Sequence, residues 1–299
     1  KKGLSLLRTF RVGPFPHVTE SESDSSQKKP PNNTAAEAQE IQFSKAGGLT
    51  VAGVVDREDV DWYKVVLNKD DRLSVAVDGV RLNYTPFDPY IDIVDTKGFV
   101  VAASDDHPLM EQDALLAFTA SEPGEFFVRV RESAYGGSSA CSYLLHVGRF
   151  PTPSVALPPG ANPGSEVVVK WLGDPAGGFE SKIKIPSTFR RASSEVSHML
   201  SVHPRREGVI AAEAVPLRVT NLPISKETES NDSPNGNASV PAPAAIWGQF
   251  EKEGDVDWIR IEAPKGSKWS VKGWGRRLGS PVDITLNAYR DNEKHTRIT

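Results

Sequence analysis

Apolar and polar residues alternate through much of the first half of the chain. Phe126, Val128 and Val130 alternate with Phe127, Arg129 and Arg131, and Leu73, Val75 and Val77 interleave with Arg72, Ser74 and Asp78. A period of two turns one set of side chains toward a core and the other toward water, as antiparallel sheets in a sandwich require. Asn68-Lys69-Asp70-Asp71, Thr96-Lys97-Gly98, Glu122-Pro123-Gly124 and Gly136-Gly137-Ser138 break these runs with turn-forming residues at short spacing. Roughly seven or eight short strands are predicted between about residues 50 and 148. Residues 22–40 are polar and read as loop, with one weak helical turn around Ala35–Gln39.

Residues 151–225 differ in character. Pro158-Pro159-Gly160 and Pro163-Gly164 precede Val167-Val168-Val169-Lys170-Trp171, and Val209-Ile210-Ala211 and Pro216-Leu217-Arg218-Val219 close the segment. Short strands between turns suggest a small immunoglobulin-like sandwich serving as a spacer.

Composition narrows the class. With 299 residues, 38% hydrophobic and 8% aromatic, the chain can bury real cores, which excludes wholesale disorder, collagen-like repetition and coiled coil. The 24 glycines and 23 prolines favour short elements over long helices, so the fold class is all-β. A formal net charge of −4 gives no general pull toward nucleic acid or anionic membrane, and neither is expected as a partner. No apolar run reaches the roughly 18 residues of a membrane-spanning helix. The single cysteine, Cys141, excludes an intramolecular disulfide and any multi-cysteine zinc site. The N-terminus has a basic start but no apolar stretch of signal-peptide length, so an export signal is expected outside this sequence.

The chain repeats itself. Arg11-Val12, Pro16 and Glu20-Ser21-Glu22-Ser23-Asp24 recur as Arg218-Val219, Pro223 and Glu227-Thr228-Glu229-Ser230-Asn231, and Asp59-Val60-Asp61-Trp62 recurs as Asp255-Val256-Asp257-Trp258. Ser74-Val75, Gly79 and Arg81-Leu82 match Ser270-Val271, Gly275 and Arg277-Leu278. This spacing divides the chain into the tail of a preceding spacer unit (1–16), a β-sandwich (17–150), the spacer (151–225) and a second copy of the sandwich (226–299). The second copy is incomplete, its last residue matching Ser104 of the first.

Glu227-Thr228-Glu229-Ser230-Asn231-Asp232, followed by Gly248 and Gly254-Asp255-Val256-Asp257-Trp258, resembles the bacterial pre-peptidase C-terminal domain family. The first copy is similar, with Glu20-Ser21-Glu22, Gly53, Asp59-Val60-Asp61-Trp62-Tyr63, Asp88-Pro89, Arg131-Glu132-Ser133-Ala134-Tyr135-Gly136-Gly137 and Tyr143-Leu144-Leu145-His146-Val147. The resemblance implies jelly-roll-like antiparallel sandwiches, export and a non-catalytic accessory role, often beside a peptidase. It also implies calcium at the N-terminal acidic stretch in some relatives, and collagen binding in collagenase versions.

Calcium takes six to eight oxygen ligands, and carboxylates at alternate positions of an extended segment can converge on one ion if a second loop closes the cage. Glu227, Glu229, Asn231 and Asp232 form such a set, closed by Asp255 or Asp257; Glu20, Glu22 and Asp24, closed by Asp59 or Asp61, form the earlier one. The competing readings are solvated linker charges, and aspartates that cap a turn while Trp62 packs inside. Trp62, Trp258 and Trp269 read as strand residues of the core, and Trp274 as either a ligand platform or a loop anchor. His198 and His203 suit no zinc pairing, His146 falls on the face opposite Tyr143, Leu145 and Val147, and Cys141 reads as a buried structural thiol. No G-x-S-x-G, H-E-x-x-H, P-loop or G-x-G-x-x-G motif occurs. Two functions follow: a non-catalytic extracellular array attached to flanking domains of a longer chain, with a protein or polysaccharide ligand, or a hydrolase fragment contributing active-site residues.

Overall fold

The computed structural model describes residues 11–21, 31–42, 47–82, 87–188, 197–235, 237, 239–291 and 295–298. It comprises two compact units: Lys1–Ser154 with Gly173–Gly178 and His203–Ala214, and Val155–Leu172 with Phe179–Val202 and Val215–Thr299.

In the first unit the strands are β1 (His17–Thr19), β2 (Gln39–Glu40), β3 (Gly48–Val54), β4 (Asp61–Leu67), β5 (Arg72–Asp78), β6 (Pro89–Asp95), β7 (Val100–Ser104), β8 (Leu115–Thr119), β9 (Gly124–Glu132) and β10 (Ser142–Gly148). They form two five-stranded sheets, in the orders β1-β3-β10-β5-β8 and β2-β4-β9-β6-β7. Eight of these strands lie between residues 48 and 148, as the alternation predicts. Both sheets are antiparallel except where the chain enters, since β1 pairs parallel with β3 and β2 parallel with β4. The entering segment contributes an edge strand to each sheet in turn, and both run in the direction of the strand they join.

The core between the sheets is what the period of two requires. Along β4, Asp61, Tyr63, Val65 and Leu67 point inward, and Val51, Leu73, Val75, Val77, Ile91, Ile93, Val128, Val130, Leu145 and Val147 meet them, each at most 1% exposed. Trp62 is on a strand but not in this core. It lies half-buried on the outer face, with its ring 5.9 Å from that of Phe127 and 5.0 Å from the Arg129 guanidinium. The core aromatic of the block is its neighbour, Tyr63.

β5 departs from the simple pattern, being buried on both faces. Ser74 and Asp78, expected to face water, are fully enclosed, as is Ala76 between them. Phe15, Phe150, Met110, Leu115 and Ala212 cover Ala76, and the Ser74 hydroxyl donates to the Phe150 carbonyl at 2.6 Å. His146 does lie opposite Tyr143, Leu145 and Val147, and that face too is closed. Cys141 is buried and free, as a structural thiol should be.

Beyond Ser154 come β11 (Val155–Leu157), β12 (Gly160–Ala161), β13 (Glu166–Leu172), β14 (Phe179–Lys184), β15 (Ser197–Val202), β16 (Arg205–Arg206), β17 (Val209–Ile210), β18 (Val215–Thr220), β19 (Ile224–Lys226), β20 (Ser239–Val240), β21 (Ala245–Trp247) and β22 (Arg260–Ile261). The hairpin β16-β17 belongs to the first unit. In the second unit, β11-β13-β14 and β12-β18-β15 make two three-stranded sheets, and Val169, Trp171, Ile185, Leu217 and Val219 are buried. From Ile224 on, the described strands form two-stranded parallel pairs, β19 with β21 and β20 with β22, and a single antiparallel bridge joins Tyr289 and Arg297. Trp258 is half-buried outside any strand and Trp269 is 43% exposed, so neither is the core strand residue the sequence suggested.

Candidate metal centre

In the second unit the polypeptide between β19 and β22 gathers carboxylates around one amide. Oxygens of Glu227, Glu229 and Glu251 all lie within 4.8 Å of one another. Asn231 is 4% exposed and sits among three carboxylates: Nδ2 lies 3.4 Å from Glu227, and the other amide atom 3.2 Å from both Glu229 and Asp257. Turned with its NH2 toward Glu229 and Asp257, the amide donates to both. Turned the other way, it adds an oxygen to a group of oxygens, the arrangement a cation holds. Partial burial, together with the charges of Glu227, Asp255, Glu229 and Glu251, pushes Asp257 up to about 7. So many carboxylates on so few residues repel one another unless a proton or a cation neutralises them.

Gly248 makes the approach possible. A Cβ there would lie 2.0 Å from Glu227 Cδ, and Glu227 Oε1 accepts a hydrogen bond from the next amide, Gln249 N. Asp232 and Asp255, also expected at the site, face Lys252: its Nζ lies 3.2 Å from Asp232 and 3.8 Å from Asp255. Asp255 Oδ2 also accepts from Glu251 N at 2.8 Å, a turn role of the kind open to either aspartate of the block. The structure thus brings Glu227, Glu229, Asn231 and Asp257 together, adds Glu251, and sets Asp232 and Asp255 beside a lysine.

The first unit has the same backbone frame. Glu20 N donates to Ala52 O and Glu227 N to Trp247 O, both at 3.0 Å; Glu20 Oε1 accepts from Val54 N at 2.7 Å. Thr50 N donates to Pro16 O and Ala245 N to Pro223 O, both at 2.8 Å. Trp62 N donates to Asn32 O at 2.7 Å and Trp258 N to Asn231 O at 2.9 Å. Asn32 therefore occupies the place of Asn231. The signal was present in the sequence, since Asn32-Asn33-Thr34 parallels Asn231-Asp232-Ser233 once an insertion after Glu22 is allowed. Glu22 and Asp24 lie outside the described residues.

What fills the first site differs. Tyr143 OH lies 3.1 Å from Glu20 Oε2 and 2.8 Å from Asp61 Oδ2, donates to one of them at a time, and is itself hydrogen-bonded to Tyr63 OH. Burial first, then the neighbouring carboxylates, hold both phenols well above their ordinary range, so they stay protonated. Among the described residues, neither polar atom of the fully buried Asn32 amide makes a hydrogen bond of good geometry, nor does Asp59 Oδ1. Burial raises Asp59 despite the Asp56 and Val60 amides. Gly53 matches Gly248, since a Cβ there would lie 2.3 Å from both Glu20 Oε2 and the Tyr143 ring. Gly53→Ala is expected to destabilise the first unit by about 1–3 kcal/mol through this overlap. Chemical denaturation measures it, and an unchanged midpoint would mean that Glu20 can leave its seat freely.

One further arrangement has the connectivity of a catalytic triad. Thr50 Oγ1 lies 2.8 Å from His146 Nδ1, and His146 Nε2 lies 3.2 Å from Asp78 Oδ2. All three residues are fully buried, and Asp78 is ion-paired to Arg11 and Arg81. A nucleophile must reach its substrate, so this group holds structure together.

No curated protein is significantly similar to the chain. Among solved structures, the pre-peptidase C-terminal domain of a collagenase from Bacillus anthracis is similar at 15% identity, with 39% of this chain and 98% of that one covered and a TM-score of 0.29. The periplasmic inhibitor of g-type lysozyme PliG of Aeromonas hydrophila is similar at 14% identity, with 37% and 94% covered and a TM-score of 0.29. Residues 59–132, which run from the Asp59-Val60-Asp61-Trp62 block to the end of β9, match the family of the bacterial pre-peptidase C-terminal domain.

Proposed function

We propose that the chain is a non-catalytic, exported β-sandwich array with calcium-stabilised entry motifs, which spaces or targets a larger secreted protein on an extracellular protein or polysaccharide. Its parts are the sandwich of residues 17–150, an immunoglobulin-like spacer over 151–225 and, from 226, a second copy carrying counterparts of residues 17–104; residues 1–16 are the tail of an earlier spacer. The observation that carries this reading is the shared frame at Glu20 and Glu227, where a glutamate, a glycine, an asparagine carbonyl and a tryptophan amide recur in matching hydrogen bonds. The family match at residues 59–132 supports the accessory role. Glu227, Glu229, Asn231 and Asp257, with Glu251, would hold the ion in the second copy; Glu20, Asn32, Asp59 and Asp61 would do so in the first. Hard oxygen donors free of sulfur and imidazole favour calcium over zinc.

An ion that binds the folded chain and not the unfolded one stabilises it by mass action, by about 2.7 kcal/mol at a hundredfold excess over its dissociation constant. The melting temperature is expected to rise between chelator and millimolar calcium, and Glu229→Ala is expected to abolish the part contributed by the second copy. An equal midpoint in both buffers would rule out the calcium reading. For the non-catalytic part, the purified chain is expected to bind insoluble collagen, chitin or cell-wall material without hydrolysing it. Turnover lost on changing a single side chain would instead favour the hydrolase reading.

A further inference from the structure

The outer face of β5 carries a group of charges that shares no residue with the acidic entry motif. Asp78, Asp113, Glu213 and His146 are each at most 4% exposed. Arg11 pairs with Asp78 and, at 2.6 Å, with Glu213 Oε1. Arg81 pairs with Asp78, with Asp113 Oδ2 at 2.9 Å and with Glu213 Oε2 at 3.0 Å. Burial opposes the charge of Glu213, yet Arg81, Arg11 and His146 bring it down to about 2. Burial, with Arg81 adding to it against Glu213, lowers His107 at the same place to about 4. Asp78, His146 and Glu213 are close enough to suggest a metal, but the two guanidiniums already saturate those carboxylates.

What distinguishes the network is the origin of its members. Arg11 precedes the sandwich, Asp78, Arg81, Asp113 and His146 belong to it, and Glu213 arrives from well beyond its last strand. The hairpin β16-β17 that leads to Glu213 is seated on apolar groups as well: Ala212, Val209 and Ile210 pack with Phe15, Met110, Leu115 and Phe150. A second tie runs beside the first. Arg72 of β5 donates to Asp174 Oδ1 at 2.7 Å, Thr152 N donates to Asp174 Oδ2 at 2.8 Å, and Arg206 of the hairpin donates to the carbonyls of Gly177 and Ala176 at 3.1 and 3.2 Å.

We propose that residues 11–16, 173–178 and 203–214 form a clamp that completes the sandwich, so that the sandwich folds and unfolds together with straps from both flanking segments and is not a bead ending at Gly148. The second unit carries a related socket with different chemistry. Arg218, the repeat of Arg11, stacks 4.0 Å over the ring of Trp274, which stands before Gly275 as Asp78 stands before Gly79; Arg277, the repeat of Arg81, lies 5.4 Å from the same ring. An arginine from the preceding segment thus meets the same position in each unit, through ion pairs in one and cation–π contact in the other.

The test uses the full chain and limited trypsin digestion, with mass spectrometry following cleavage after Arg205 and Arg206 at the hairpin. The Glu213→Gln substitution removes the charge both arginines share, and is expected to speed that cleavage at least about tenfold relative to the intact chain, in line with an opening equilibrium shifted by one factor of ten. Arg11→Gln, which reaches the hairpin through Glu213 and the Ala212 carbonyl, is expected to act in the same direction, and in both variants amide exchange in β4 and β9 is expected to speed in step with the cleavage. Hairpin cleavage that speeds while β4 and β9 keep the protection of the parent chain would show a strap that opens by itself, and would count against joint unfolding. Two folded variants with cleavage no faster than the parent chain would overturn the proposal.

Discussion

Asp113→Ala is expected to lower the melting temperature of the first unit by roughly 5–15 °C, whereas Asp113→Asn should cost much less. The carboxylate is fully buried and closes the turn after β5: Oδ1 accepts from Gly79 N at 2.9 Å and Val80 N at 2.8 Å, and Oδ2 from Arg81 N at 3.2 Å and Arg81 Nε at 2.9 Å. Alanine leaves these donors without an acceptor inside the protein, a penalty of about 1–3 kcal/mol per orphaned group where water cannot replace it. A net loss of about 2–4 kcal/mol converts to that temperature shift for a unit of this size. The charge is a different matter. Burial raises Asp113 above its ordinary value even though Arg81 and two amides oppose the shift. A carboxyl raised on folding contributes stability that is complete in acid and lost as pH rises through the shifted value. Asparagine keeps an acceptor and deletes the costly charge, so the advantage of Asp over Asn should be largest near pH 4 and shrink toward pH 7. Thermal melts of the three proteins at both pH values measure this; an Asn variant as damaged as the Ala variant at pH 7 would show that the charge itself is indispensable.

Asp113 also marks where reading the sequence stops being sufficient. The two-residue period locates the strands of residues 48–148 and their inward sets because burial between two sheets leaves no other solution for Leu73, Val75 and Val77. It also assigns Ser74 and Asp78 to water, and fails there, because segments distant in sequence cover that face. Periodicity within a strand contains no information about a hairpin arriving from residues 203–214. Trp62 shows the same limit at the scale of one residue: in Asp61-Trp62-Tyr63 the alternation has two phases, and only the inward Asp61, held by Tyr143, reveals that Tyr63 takes the core. At the entry motif, the repeat brings Glu20 and Asp61 into one cluster and Glu227, Glu229, Asn231 and Asp257 into another. Asn32 escaped because an insertion displaces it from the glutamates, and Glu251 because nothing in the repeat marks it. A contact made through a backbone carbonyl, such as Asn32 O to Trp62 N, leaves little trace in residue type.

Hydrogen exchange is expected to be at least about a hundredfold faster over residues 255–290 than over 48–148. Protection follows burial and persistent backbone hydrogen bonds, and regions with few of either open at low cost. Ile259, Ile261, Trp269, Val271 and Leu286 are all more than 40% exposed, whereas Tyr63, Val65, Leu73, Val75 and Ile91, their counterparts by the repeat, are fully buried. In the first unit those five residues are covered by Leu116 of β8, Phe126, Val128 and Val130 of β9, and Tyr143, Leu145 and Val147 of β10. In the proposed second copy residues 255–290 carry the inward-facing set, no strand among the described residues that follow bears the complementary one, and the described strand pairs beyond Lys226 are short and parallel. Each large side chain left in water forgoes about 1.5–3 kcal/mol of burial, so five together forfeit an amount comparable to the whole stability of a domain. Fusing residues 105–150 after Thr299 places the β8, β9 and β10 sequences where the repeat requires them, and should slow exchange in 255–290 toward the values of 48–148. Exchange that is already equal in the two regions, or that stays fast after the fusion, would show that the exposed residues are not half of a sandwich core.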